Sequence, residues 1–275
     1  MATQTFKHRV AVLGAGKMGG ILLAGFLGKK LVSPENTVAT VEHADKAAKL
    51  SSKFGVPVGT NNADAVKGAD IILLCVKPQV VVDVLEQIRP NLKPSQTLIS
   101  VAASVPTHII EESLGGKIPV VRAMPNTPCV VGQGMTAICK GKFATADHVE
   151  MARALFGAVG KTVVIEERLM DAATGLSASG PAFIYIILES LAEAGVKVGL
   201  PRETATLMAA QTMLGAAHVA LETGDHPALL KDAVTTPAGC TIDGIMEIEE
   251  GKLRVTLIKA VVKAAHRASE LRTKY

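Results

Sequence analysis

Three groups of residues in this chain have types and spacings that could do chemistry. The first spans residues 10–20, V-A-V-L-G-A-G-K-M-G-G. Gly14, Gly16 and Gly19 stand at G-x-G-x-x-G spacing. They follow an apolar run suited to a buried strand and precede a stretch, 17–27, with Met18, Ile21, Leu22 and Phe26 near one helical face. In a strand–turn–helix unit the first glycine permits the tight turn. The second lets backbone approach a pyrophosphate, and the third lets helix and strand pack closely. Free N–H groups and the dipole at the helix start then hold the phosphates. Leu13, Gly14, Ala15, Gly16, Lys17, Met18 and Gly19 are thus the candidate pyrophosphate cradle of a dinucleotide site. A glycine-rich turn also occurs with a purely structural role; the β-α-β pattern that follows favours the binding reading.

Later strand ends should line the same crevice: Asn62, then Cys75, Val76, Lys77 and Pro78, then Val101, Ala102 and Ala103. Lys77 could meet a phosphate or carboxylate, although Lys-Pro after a strand is also an ordinary turn. Glu42 closes the second strand. An acid there can accept from the adenine-ribose hydroxyls of NAD, whereas NADP wants an Arg or hydroxyl. A solvated loop charge is the alternative.

The second group spans 231–244, K-D-A-V-T-T-P-A-G-C-T-I-D-G. Pro237 and Gly239 break one helix, and the next begins at Gly239-Cys240-Thr241. Helix-start amides with the hydroxyls of Thr235, Thr236 and Thr241 make a neutral site for a small carboxylate. Thr236 reads equally as a simple N-cap. The third group, T-G-L-S-A-S-G-P-A at 174–182, has the flavour of a nucleophile elbow. Its G-x-S-x-S spacing and the lack of a preceding strand argue instead for a tight helix–helix junction.

The elements that must position these groups follow from periodicity. Strands are expected at 10–13, 37–41, 56–58, 71–76, 98–101, 120–122, 135–139 and 162–165. Helices alternate with them at 17–27, 44–54, 79–88, 107–114 and 147–156, with Asp64 capping a short one. That alternation is a Rossmann-type doubly wound α/β sheet, with ligands at the carboxyl ends of its strands. After Glu166 everything reads as helix: 170–177, 181–198, 202–222, 228–234, 242–249 and 253–272. We expect two domains, 1–165 for the dinucleotide and 166–275 all-α, the latter of about 110 residues, an ordinary domain size.

Composition narrows the function. The 275 residues are 48% hydrophobic but 3% aromatic with no Trp, so the core is built from aliphatic side chains. A mean hydropathy of +0.33 points to apolar surface buried between subunits. The net charge of +4 is scattered, without a basic block, which argues against nucleic acid. The most apolar helix, 180–198, carries Glu189 and Glu193, so no membrane span is expected. A core strand begins by Val10, leaving no room for a leader, and a cytoplasmic protein is the default. Cys75, Cys129, Cys139 and Cys240 show no C-x-x-C pair and the seven histidines no H-x-x-x-H pair, so reduced thiols and no metal are expected.

Over essentially its whole length the chain resembles the pyrroline-5-carboxylate reductases. The resemblance rests on V-L-G-A-G-K-M-G at 12–19, Val76-Lys77-Pro78, R-A-M-P-N-T-P at 122–128, T-G-L-S-A-S-G-P at 174–181, and D-A-V-T-T-P-A-G-C-T at 232–241 with Gly244. Many dehydrogenases share the first. The arginine-led and threonine-rich segments together are highly specific. The resemblance implies a dinucleotide domain followed by a helical dimerisation domain, in homodimers that commonly assemble into decamers. It implies NAD(P)H-dependent reduction of a small imine acid, L-1-pyrroline-5-carboxylate, to L-proline, the last step of proline biosynthesis. Substrate contacts would come from the Val234 backbone, Thr236, the Gly239 and Cys240 backbone, and Thr241, with Thr241 as the catalytic contact at the ring nitrogen.

Two departures matter. Ala238 stands where the family usually has a first glycine, harmless only if its φ stays negative. Glu42 stands where a 2′-phosphate would lie, so NADPH is expected with appreciable NADH use. The nearest rival is a β-hydroxyacid dehydrogenase, which resembles this architecture but uses a helix Lys as acid; no Lys lies in 174–182. A rival of another class is a non-catalytic redox sensor, which would have no need of a carboxylate site.

Overall fold

The computed structural model describes residues 7–272. The first β-branched run forms β1 (Val10–Leu13), buried along its whole length. It sits inside a sheet with β2 (Thr37–Thr40), β3 (Val58–Gly59), β4 (Ile71–Leu74), β5 (Thr97–Ser100), β6 (Val120–Met124), β7 (Gly134–Lys140) and β8 (Gly160–Val164), in the order β3-β2-β1-β4-β5-β6-β7-β8. Strands β1 to β6 are all parallel; β7 runs antiparallel to β6, and β8 parallel to β7. The order turns back between β1 and β4, and that reversal opens the crevice at their carboxyl ends.

Period-two alternation divides β1 between two cores. Val10 and Val12 join Leu22, Leu23 and Phe26 of α1 (Lys17–Gly28), with Leu155 and Phe156 of α6 (Ala146–Gly157). Ala11 and Leu13 face α3 (Asn62–Ala65), α4 (Val81–Ile88) and α5 (Thr107–Leu114) through Ala65, Leu85, Ile88 and Ile110. α2 (Ala44–Phe54) lies on the first face. Helices on both faces explain why the parallel strands read as continuous apolar runs.

The chain then turns helical: α7 (Met170–Ala173), α8 (Gly180–Lys197), α9 (Arg202–Thr223), α10 (Pro227–Ala233), α11 (Cys240–Glu250) and α12 (Leu253–Arg272). Among the described residues two compact units result, one of residues 7–179 and 263–272, the other of residues 180–262. The boundary expected at 165 marks the change of secondary structure, whereas the packing boundaries fall at 179/180 and 262/263. In the first unit Ser104 Oγ donates to Ala268 O at 3.2 Å, and Arg272 pairs with Asp171 at 3.4 Å. These contacts hold the end of α12 to the sheet unit.

Several local expectations need correction. The short helix after β3 is capped by Asn61, whose side chain accepts from Asp64 N, while Asp64 lies inside α3. Cys75 and Val76 stand beyond β4 rather than within it, and the strand expected at 56–58 is only Val58–Gly59. The helix expected at 170–177 breaks into α7 and a π turn, Thr174–Ala178.

Within α8 and α9 the only buried residues are Ala192, Ala205 and Ala209, while Ile184, Ile186, Leu207 and Met208 are exposed. The helical run Glu167–Lys197 has the length and apolar content of a membrane span, an 18-residue stretch of it reaching a mean hydropathy of 1.3, which the reading of 180–198 alone missed. Apolar surface on this scale marks an interaction site.

Candidate active site

The three motif glycines do different work. Gly14 has φ +91°, and a Cβ there would meet Val76 Cγ1 at 2.9 Å and the Cys75 backbone at 3.1 Å. A Cβ on Gly19 would strike the Gly14 carbonyl oxygen. Both glycines therefore close the fold. Gly16 would meet nothing within 4 Å, so its missing side chain leaves space rather than relieving a clash. Gly16 is also the N-cap of α1 and offers no side-chain cap, so the amides of Lys17, Met18 and Gly19 face that space without a helical acceptor. This arrangement fits a pyrophosphate.

The front of the loop is already committed. Gly14 N and Ala15 N donate to Thr40 O at 3.1 and 2.7 Å, and Leu13 O accepts from Cys75 N at 2.8 Å. Leu13 and Ala15 are buried. These residues shape the loop, and the free donors begin beyond them. Asn62 acts through Thr40: its Oδ1 accepts from Thr40 Oγ1 at 2.7 Å, and its Nδ2 donates to Gln87 Oε1 at 3.2 Å. Thr40 was absent from the residues singled out in the sequence because its carbonyl and hydroxyl both act from within a strand.

The remaining strand-end residues line the same carboxyl edge. Burial pushes the Cys75 thiol up to about 12, so it stays protonated behind the glycine loop. Lys77 is exposed and opens the 3₁₀ turn Pro78–Val80. Val101 N donates to Leu74 O at 3.0 Å, Ala102 is buried, and Ala103 precedes Ser104 in the left-handed region at φ 61°. Glu42 lies just past β2 with its side chain 80% exposed, 3.7 Å from His43 Nε2.

In the helical unit the threonine-rich segment is a single tight turn between α10 and α11. Gly239 caps α11 without a side-chain hydrogen bond, so Cys240, Thr241 and the next amide are free donors. Thr236 is therefore not the N-cap; its carbonyl accepts from Gly239 N at 3.0 Å. Thr235 is spent on Lys231 O at 3.0 Å. Val234 and Cys240 are exposed, and Thr241 is half-buried. Ala238 has φ 57°, so the negative φ required of it does not hold, and an alanine occupies a glycine conformation.

A further set of contacts radiates from β6. Arg122, 1% exposed, approaches Glu167 Oε1 at 3.4 Å. Glu167 in turn accepts from Thr107 N at 2.7 Å and Thr107 Oγ1 at 2.6 Å, satisfying the start of α5. Burial and the Glu167 charge push the neighbouring Cys139 thiol up to about 12 against the pull of Arg122. Asn126, at the end of the same strand, bonds Ser177 and Met135.

Comparison with known proteins decides the lineage. The chain is 43% identical to the pyrroline-5-carboxylate reductase of Methanosarcina acetivorans, over 96% of this chain and 98% of that one. It belongs to the pyrroline-5-carboxylate reductase family. The Arabidopsis thaliana reductase is 41% identical over 96% of this chain and 95% of its own. The structure of the Coxiella burnetii reductase superposes with a TM-score of 0.90 at 35% identity, covering 97% and 99% of the two chains. That of the Plasmodium falciparum reductase with NADP bound gives 0.88 at 29%, covering 98% and 100%. Residues 167–271 match the pyrroline-5-carboxylate reductase dimerisation family, and residues 9–104 match the family described as NADP oxidoreductase, coenzyme F420-dependent. In keeping with the first match, the protein forms a homo-oligomer.

Proposed function

We propose that the protein reduces L-1-pyrroline-5-carboxylate to L-proline with NADPH, closing proline biosynthesis. The observation carrying this reading is the full-length similarity to these reductases, in a chain that keeps both an uncapped glycine-rich helix start and a hydroxyl-bearing turn before α11. When bound, the nicotinamide supplies a hydride to the C=N carbon. The residues of this chain bind and orient. The amides of Lys17, Met18 and Gly19 take the pyrophosphate, with Gly16 leaving it room. Val234, Thr236 and the Gly239 and Cys240 backbone receive the substrate, its carboxylate resting on the α11 amides. Thr241 hydrogen-bonds the ring nitrogen. The imine arrives protonated. Its carbon gains the hydride, the C=N electron pair moves to nitrogen, and the amine results without a further proton. Hydrogen bonding and alignment therefore suffice as the protein's contribution.

Homodimers formed through α8 and α9 would assemble further into decamers. Four free cysteines, one of them exposed, support a reducing compartment, the cytoplasm. Incubation with NADPH and the imine acid should consume nicotinamide absorbance in step with proline formation. Absorbance that stays constant with active controls would overturn the reading.

A further inference from the structure

The carbonyl of Ser177 has lost its helical donor. In an α-helix it would accept from the N–H four residues on, and that residue is Pro181. The side chain of Asn126 fills the place. Its Nδ2 donates to Ser177 O at 3.1 Å and lies 3.4 Å from Ser177 Oγ, while its Oδ1 accepts from Met135 N at 2.9 Å. Asn126 is buried, so both ends of its amide are committed. The backbone nearby winds as the π turn Thr174–Ala178, with Ser179 N reaching Thr174 O at 3.0 Å. Single π turns within helices recur at functional sites.

The location gives this turn a role. Asn126 follows β6 at the carboxyl edge of the parallel strands. A dinucleotide with its pyrophosphate at Gly16 lays its adenosine over β2, where Glu42 stands, and its nicotinamide half over β4 to β6. The 3₁₀ turn Thr127–Val131 packs back on α1, the helix that receives the phosphates. Arg122 anchors the other end of the same helical segment through Glu167. We propose that Asn126 is a positioning residue for hydride transfer: it holds the π turn at the end of β6 as a wall against which the nicotinamide ring is aligned. The inference rests on the reductase reading above.

Asn126→Ala and Pro181→Ala test it together. The first removes the side-chain donor. The second returns a backbone N–H to residue 181, which competes for Ser177 O and draws the turn toward α register while leaving Asn126 in place. Both should lower kcat by about tenfold while the NADPH dissociation constant stays within about threefold, because the phosphates are held at α1. The kinetic isotope effect with 4-deuterated NADPH should rise, and the fluorescence of NADPH bound to the resting enzyme should fall as the ring loosens. The double variant should recover melting temperature without recovering kcat. A purely structural Asn126 would instead give lower melting temperatures with wild-type kcat, isotope effect and bound fluorescence, or a double variant whose kcat returns with its stability. Either result overturns the proposal. The wild-type rate tests the reaction and the variant ratios test the wall, so the two readings fail separately.

Discussion

The Thr40 hydroxyl donates to Asn62 Oδ1 at 2.7 Å and accepts from the Gly14 amide at 3.2 Å. One buried side chain thus ties the end of β2 and the start of α3 to the first residue of the glycine loop. Thr40→Val keeps the shape and removes the hydroxyl. Gly14 N retains the Thr40 carbonyl, so the loop should loosen rather than collapse. A net loss of about 1 kcal/mol, roughly fivefold in NADPH affinity, is expected. Fluorescence titration measures it, and an unchanged affinity would show that the backbone bonds alone hold the loop.

Gly16 and Gly19 should separate binding from folding. A side chain at 16 enters open space, while one at 19 meets the Gly14 carbonyl. Gly16→Val should therefore melt within a few degrees of wild type and lose dinucleotide binding. Gly19→Ala should lose stability by about 1–3 kcal/mol from overpacking against backbone. Thermal unfolding paired with cofactor titration distinguishes the two. The reverse pattern, a destabilised Gly16→Val that still binds, would remove position 16 from the phosphate site.

Glu42 should set the balance between nicotinamide cofactors. Its carboxylate is exposed just past β2; in the proposed placement of the adenosine it would repel a 2′-phosphate and accept from a 2′-hydroxyl. Appreciable NADH use is expected, with Glu42→Ser shifting kcat/KM toward NADPH. Equal NADH/NADPH ratios in the two proteins would show that the carboxylate points away from the ribose.

Ala238 should be a stability defect that a single substitution repairs. At φ 57° its methyl group crowds the backbone, at a cost of about 1–2 kcal/mol. Ala238→Gly removes that cost and adds flexibility to the unfolded chain, which returns part of the gain. A net rise of about 0.5–1 kcal/mol in unfolding free energy is expected. Denaturant melts would report it, and a loss of stability would mean that the turn is relaxed with alanine.

The parallel core was legible because a strand covered on both faces has no polar side: Val10–Leu13 and Ile71–Leu74 are continuous apolar runs. The glycine loop was legible from spacing. So was the task of each glycine; what was not legible is which atoms a side chain would meet, the Val76 side chain and Cys75 backbone just past β4 at Gly14 and the Gly14 carbonyl at Gly19. Thr40 and Asn126 were illegible for a related reason. Each bonds residues more than twenty positions away, Thr40 to Asn62 and Asn126 to Ser177. Pro181 did carry one signal, an orphaned carbonyl four residues earlier that some distant donor had to satisfy.

Thr241 should be the side chain closest to the chemistry. It is the second residue of α11, and the uncapped start of that helix leaves its neighbouring amides free for a carboxylate. A hydroxyl in that position can donate to or accept from the substrate nitrogen as imine becomes amine. Its share of the rate should be modest, because the protonated imine is already electrophilic and the hydride comes from the cofactor. Loss of one hydrogen bond to a charged group costs about 1.5–3 kcal/mol, or roughly 10- to 150-fold in rate when it acts at the transition state. Thr241→Ala should lower kcat/KM for the imine acid by about that factor, and Thr241→Ser, which keeps the hydroxyl, by much less. NADPH affinity should hardly change, since the proposed site holds the dinucleotide at the glycine loop. Wild-type kinetics in Thr241→Ala would remove the hydroxyl from the reacting centre, and a collapse of NADPH binding would place the threonine turn on the cofactor instead.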